Sequence, residues 1–130
     1  MTADTGYSSK PLVEKLGFAP GDTIFVETTP DWYSDFAEKN GLELTPGLPA
    51  THAHIFCHAK VNLERFLHEN NLNDISKSLW LSWPKQSSGV KSNIGEQDLR
   101  YALLPLGWVD TKVVAIDDIW SGLKFLRRKA

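Results

Sequence analysis

The residues whose types and spacing are best suited to chemistry lie in "WPKQSSGVKS", residues 83–92. Lys85 and Lys91 flank Ser87, Ser88 and Gly89, and Asn93 follows with Glu96 three residues on, a spacing typical of a capped helix start. Two ammonium groups, two hydroxyls, a flexible glycine and the amides of a helix N-terminus together favour a bound anion, a phosphate or a carboxylate. The stretch is not a P-loop, because "SGVKS" lacks the opening glycine and the Gly-Lys pair that cradle nucleotide phosphates. A solvated connector of ordinary turn residues is the competing reading.

"HAHIFCH" raises a metal question. On a strand, His52, His54 and His58 share one side with Phe56, while Ala53, Ile55 and Cys57 take the other. Zinc wants three or four ligands. No nearby carboxylate completes the set on the histidine face and Cys57 points away, so no metal site is expected. The histidines read as packed or surface groups, with His58, nearest the carboxyl end of the strand, the one to face a pocket. Ser87, His58 and Asp117 could assemble a serine–histidine–aspartate set. No "GxSxG" elbow encloses any serine, however, and no catalytic residue is assigned. Of the five tryptophans, Trp80 and Trp108 are expected in the core, whereas Trp83 and Trp120 sit at strand ends and could line a pocket or a partner surface.

The elements that must position these groups can be read from hydrophobic periodicity and turn residues. "KPLVEKLG" is a short helix closed by Gly17, and "TIFVE", Thr23–Glu27, is a β-branched buried strand. "PDWYSDFAEKNG" reads as a helix and "LEL" as a brief strand. "HAHIFCHA" is the next strand, followed by a helix from about Asn62 to Asn70. "KSLWLSW" is a strand that Pro84 ends, and a helix starting at Asn93 packs Leu99, Leu103, Leu104 and Leu106 before Gly107. "TKVVAID" and "LKFLRR" form a closing antiparallel pair joined through "DDIWSG". Strands alternating with helices call for a three-layer α/β/α sandwich, a Rossmann-like, mostly parallel sheet with an antiparallel C-terminal strand. Ligands of such sheets sit beyond the carboxyl ends of the strands, which points to "ETTPDW", "HAKVN" and "WPKQSSGVKS".

A nucleotide cofactor on this frame needs a glycine-rich turn after the first strand, so that backbone can approach it closely. Here that turn is "ETTPDWY", without glycine, and "GxGxxG" occurs nowhere. The acidic residue expected near the second strand could only be Glu43. No cofactor is expected.

Three fragments, "YSSKPLVEKLG", "LWLSWPKQSSGV" and "GWVDTKVVAIDDIWSGLKFLRR", together resemble the bacterial domain-of-unknown-function family 3052 over nearly the whole chain. The resemblance implies a Rossmann-like fold similar in layout to a shortened S-adenosylmethionine-dependent methyltransferase domain, with its last strand antiparallel. It implies no activity. His52, His54 and His58 stand where small or apolar residues are usual in that family, so no family-wide role attaches to them.

At 130 residues, 42% apolar and 23% charged, the chain has the balance of one soluble globular domain, residues 1–130. No apolar run approaches the roughly 20 residues that span a bilayer. "MTADTGYSSK" has neither a basic nor an apolar leader pattern, and Cys57 is the one cysteine, so a reducing cytoplasm is the expected location. Net charge is −2, split as −6 over residues 1–76 and +4 over 77–130, with Lys124, Arg127, Arg128 and Lys129 in the tail. That short cluster reads as a solvated strand end, and neither nucleic acid nor membrane is an expected partner. The function expected is a small, non-catalytic binding or interaction domain, with a homodimer or another protein as open partners. The alternative is a small-anion binder or enzyme using Lys85–Ser92 with His58 and Trp120.

Overall fold

A computed structural model describes residues 10–129. The stretch before Lys10, including the start of the "YSSKPLVEKLG" fragment and most of the segment read for a leader, lies outside the described residues. The elements in chain order are α1 (Leu12–Leu16), β1 (Thr23–Glu27), α2 (Tyr33–Lys39), β2 (Glu43–Thr45), β3 (Ala50–Phe56) and α3 (Lys60–Glu69). They continue as β4 (Ile75–Pro84), α4 (Glu96–Leu103), β5 (Trp108–Ala115) and β6 (Trp120–Arg127).

The six strands form one sheet in the order β2-β1-β3-β4-β6-β5. β2, β1, β3 and β4 run parallel, and β6 runs antiparallel to both of its neighbours, β4 and β5. This is the Rossmann-like sandwich that alternating strands and helices call for. β4 is central and all of its side chains from Ser78 to Pro84 are buried, the pattern of a strand covered on both faces.

Two apolar layers flank the sheet. On one face Leu63 and Phe66 of α3 and Leu99 and Leu103 of α4 pack on Ala53, Ile55, Leu79, Leu81 and Phe125. On the other, Leu16, Phe18, Tyr33 and Ala37 pack on Ile24, Phe56, Trp80, Ile116 and Trp120. The alternation along β3 therefore sorts as its sequence predicts, with Ala53, Ile55 and Cys57 in the first layer and Phe56 in the second. Trp80 and Trp108 are core residues, at 0% and 2% exposure. In the tail, Arg127, Arg128 and Lys129 are exposed, and the Arg127 guanidinium lies 5.0 Å from the Trp108 ring centroid. No helix among the described residues is long and apolar enough to cross a membrane.

Several boundaries differ from the sequence reading. α3 starts at Lys60 rather than Asn62, because Asn62 Oδ1 accepts from the Ala59 amide and so acts inside the first turn. β5 starts at Trp108, three residues before "TKVVAID". The largest difference is at α4, which starts at Glu96 and not at Asn93. Asp98 Oδ2 accepts from the Gly95 amide at 2.9 Å and supplies the cap. Asn93 Oδ1 instead accepts from the Lys60 amide at 2.8 Å, capping α3 across the loop.

Candidate functional site

β1 lies between β2 and β3 in the sheet, so the chain leaves β1 to opposite sides in successive crossovers. The crevice beyond the carboxyl ends of β1 and β3 is thus the topological switch point, where open α/β sheets bind ligands. The chain fills that crevice with its own groups. Thr28 turns left-handed there, at φ +51°, a conformation costly for a β-branched residue. Its hydroxyl donates to the Phe56 carbonyl, and its own carbonyl lies 3.3 Å from His58 Nε2. Trp32 Nε1 donates across to Asp117 Oδ2 at 3.0 Å. Asp117 Oδ1 also accepts from the amides of Ile119 and Trp120, at 2.8 and 2.7 Å. Trp120 stacks edge-on against His58 at 4.8 Å and against Phe56 at 5.1 Å. Three loops are laced together where a glycine-rich turn would leave room.

One strand further along, beyond the carboxyl end of β4, a cavity of about 510 Å³ opens. Its walls include Trp83, Lys85, Ser87, Val90, Ser92 and Glu96. The loop around it is ordered by its own hydrogen bonds. The Lys85 amide donates to the Ile119 carbonyl at 2.8 Å. Ser88 Oγ donates to the Lys85 carbonyl at 2.6 Å and accepts from the Val90 amide at 3.1 Å. Gly89 makes the turn at φ +81°. Ser92 Oγ donates to the His58 carbonyl at 3.0 Å, tying the loop to the end of β3.

The sequence-selected residues therefore divide. Lys85 and Ser87 line the cavity, Ser88 and Gly89 shape the loop behind it, and Lys91 is exposed outside its walls. His58 and Trp120 form a separate pair at the switch point and do not line the cavity. Ser87, His58 and Asp117 are not joined by any hydrogen bond among the described residues, since Asp117 serves Trp32 and the 119–120 amides. Charge in the cavity is uneven. The Glu96 carboxylate is held by Arg100, which also binds Asp110 at 2.8 Å. No ion pair engages Lys85 among the described residues.

Sequence reasoning missed two buried polar networks on the second face of the sheet. His52 Nε2 meets Asp22 Oδ2 at 2.9 Å, and its Nδ1 meets Ser78 Oγ at 2.6 Å. A carboxylate can only accept, so Nε2–H donates to Asp22 and Nδ1 accepts from Ser78. Burial lowers the His52 pKa more than Asp22 raises it, which leaves the imidazole neutral near pH 7. For Asp22, burial pushes upward, but the Ala19 amide and His52 outweigh it and hold the carboxyl below its ordinary value. His54 bridges Tyr33 Oη and Ser82 Oγ, both at 2.8 Å. Burial drives the His54 imidazole down to about 3.

An aspartate, a histidine and a serine linked one to the next by hydrogen bonds invite a catalytic reading, which the geometry rejects. Ser78 is 1% exposed, and Phe18 lies 4.6 Å from the His52 ring on the outer side. β4 is paired on both sides, so its amides are committed to the sheet and cannot form an oxyanion hole. Cys57 is equally inert, since burial, with Glu27 nearby, pushes its thiol up to about 12. Among the described residues no group of three histidine, cysteine or acidic side chains is placed to hold a metal ion.

Comparison of the sequence with protein-family models finds no match, and comparison with curated proteins finds none. Membership of the family suggested by the three fragments is therefore not shown. Comparison of the fold does find relatives. A protein of the NADB-Rossmann superfamily from Streptococcus agalactiae aligns over 95% of this chain and 70% of its own, with TM-score 0.60 and 10% identity. TrmK of M. capricolum, in complex with S-adenosyl-homocysteine, aligns over 99% and 70%, with TM-score 0.57 and 10% identity. Magnesium protoporphyrin IX methyltransferase of Synechocystis PCC 6803, with bound SAM, aligns over 89% and 74%, with TM-score 0.54 and 11% identity. At such identities the likeness establishes a Rossmann-like, methyltransferase-like fold.

Proposed function

We propose that this chain is a binding domain that takes a small anion-bearing ligand and performs no methyl transfer, its site displaced from the switch point to the cavity at the end of β4. The observation that carries the reading is the lacing of the switch-point crevice by Thr28, Trp32–Asp117 and His58–Trp120. In two of the similar solved structures an S-adenosyl ligand is present; here backbone turns at a β-branched threonine and a tryptophan bridges two loops. The open volume lies beside Lys85, whose ammonium has no carboxylate partner, with Ser87, Ser92 and a tryptophan wall around it. A charged group entering there gains a cation without displacing an existing ion pair. The acids at the start of α4 are already spent, Glu96 on Arg100 and Asp98 on the Gly95 amide and Lys60.

Inorganic phosphate is the probe that tests this. At about 100 times its dissociation constant, one site adds about 2.7 kcal/mol to unfolding stability. The Lys85→Ala/Lys91→Ala variant should lose that share while keeping its phosphate-free stability, because both side chains are outside the core. A phosphate gain identical in the two proteins would refute the assignment and leave the loop a connector. The second reading, an interaction module with a protein partner, draws on the exposed Val61, Val90 and Ile119 in loops and helix starts of the same sheet edge. Concentration-dependent self-association with no response to anions would favour it.

A further inference from the structure

On the second face of the sheet, a cleft of about 290 Å³ runs between α1 and the edge strand β5, walled among others by Glu14, Lys15, Lys112 and Val113. Next to it, Lys112 of β5 stands in register opposite Lys124 of β6. Like charges directly opposite on neighbouring strands repel, and a sheet normally avoids them. Lys124 is half-buried and lies along the second face of the sheet. Its ammonium lies 6.0 Å from the Trp80 ring centroid, and a Cβ built on Gly17 would stand 3.2 Å from it. The charge is thus parked at the C-terminal end of α1, beside Gly17, two residues past Lys15. Burial first, and then the Lys112 charge opposite, lower the Lys124 pKa.

No ion pair engages Lys15, Lys112 or Lys124 among the described residues, and Glu14 is the one acid among the residues walling the cleft. The strand edge is disrupted at Thr111, where the β5–β6 register shifts, so Asp110 faces α4 and Arg100 and offers no balance to Lys112. Val114, two residues from Lys112 and packed on the second layer, supplies an apolar floor on the same face as the charges.

We propose that the Lys112 end of this cleft, with the Lys124 ammonium next to it, is a second anion site that takes a divalent oxyanion of the phosphoryl type, with Lys15 closing the third side. The site is independent of the cavity at the end of β4. A bound oxyanion turns a repulsive lysine pair into two attractive contacts, and the non-ionic part of a small ligand can rest on Val114.

The test compares thermal unfolding in phosphate and in chloride at matched ionic strength, on a Lys85→Ala/Lys91→Ala background that removes the loop's contribution. Lys112→Gln keeps the strand and the side-chain stem but removes one charge, and Lys112 is exposed, so the variant folds. In chloride it should melt at or above its parent, because the repulsion is gone. In phosphate the order should reverse, and the phosphate dissociation constant should rise about tenfold, the loss of one charge-assisted contact. Lys124→Gln should behave alike in phosphate. A phosphate increment equal in variant and parent would be a general salt effect and would overturn the proposal, as would an unchanged melting order in the two salts.

Discussion

Acid should unfold this protein through His54, and by an amount the structure sets. His54 is 0% exposed and its imidazole is driven from 6.5 down to about 3 by burial. Its neutral form fits its surroundings, since one ring nitrogen can accept and the other donate between Tyr33 and Ser82. Protonation would give both nitrogens a hydrogen and place a charge among Tyr33, Phe56 and Trp80. Because the folded pKa is depressed, the unfolded chain takes up the proton first as pH falls. The contribution is fully present above about pH 6.5 and is lost progressively down to about pH 3. The slope is about 1.4 kcal/mol per pH unit, so about 2 kcal/mol is gone at pH 5 and about 3 kcal/mol at pH 4. The assay is urea unfolding across this range for the wild type and His54→Gln. The variant starts less stable at neutral pH, and the gap should narrow by about 2 kcal/mol at pH 5 because the titrations of Asp22, His52 and the other acids are common to both. A gap that stays constant from neutral pH to about pH 4 would refute the reasoning, because His54 would then not be a buried neutral group.

Thr28 should prefer glycine to alanine, against the usual order. Thr28→Gly relieves a left-handed strain of about 1 kcal/mol while losing the bond to Phe56, whereas Thr28→Ala loses the bond and keeps the strain, so urea unfolding should rank glycine about 1 kcal/mol above alanine. Asn93→Ala should cost about 1 kcal/mol, the usual loss for a capping residue. Hydrogen exchange should speed at Lys60 and hold steady at Leu99, since Asn93 caps α3 and not α4; faster exchange in α4 alone would contradict this.

The legible part of this chain was whatever depends on neighbours in sequence. The β-branched run Thr23–Glu27 and the alternation along "HAHIFC" carry their strands and faces in local pattern, and Gly17 and Gly107 sit where left-handed turns close a helix and a 3-10 turn. What was not legible depends on partners far along the chain. His52 meets Ser78 from 26 residues away, and Trp32 reaches Asp117 across 85. The spacing Asn93 to Glu96 imitates a capping pair so well that only the tertiary position of Lys60 shows which helix Asn93 serves. The same limit applied to the candidate site. Composition placed Lys85 and Ser87 on a loop at the right edge of the sheet, but no pattern in sequence says that His58 and Trp120 belong to a different cluster from them.

An amide-resolved NMR titration of the wild type, first with S-adenosylmethionine and then with phosphate, tests most directly whether the binding place has left the switch point. The account predicts no saturable shift at Glu27–Trp32 or His58 with S-adenosylmethionine, and saturable shifts along Lys85–Glu96 with phosphate. Saturable S-adenosylmethionine shifts at Thr28 and His58, with a dissociation constant near micromolar or about −8 kcal/mol of binding, would contradict it.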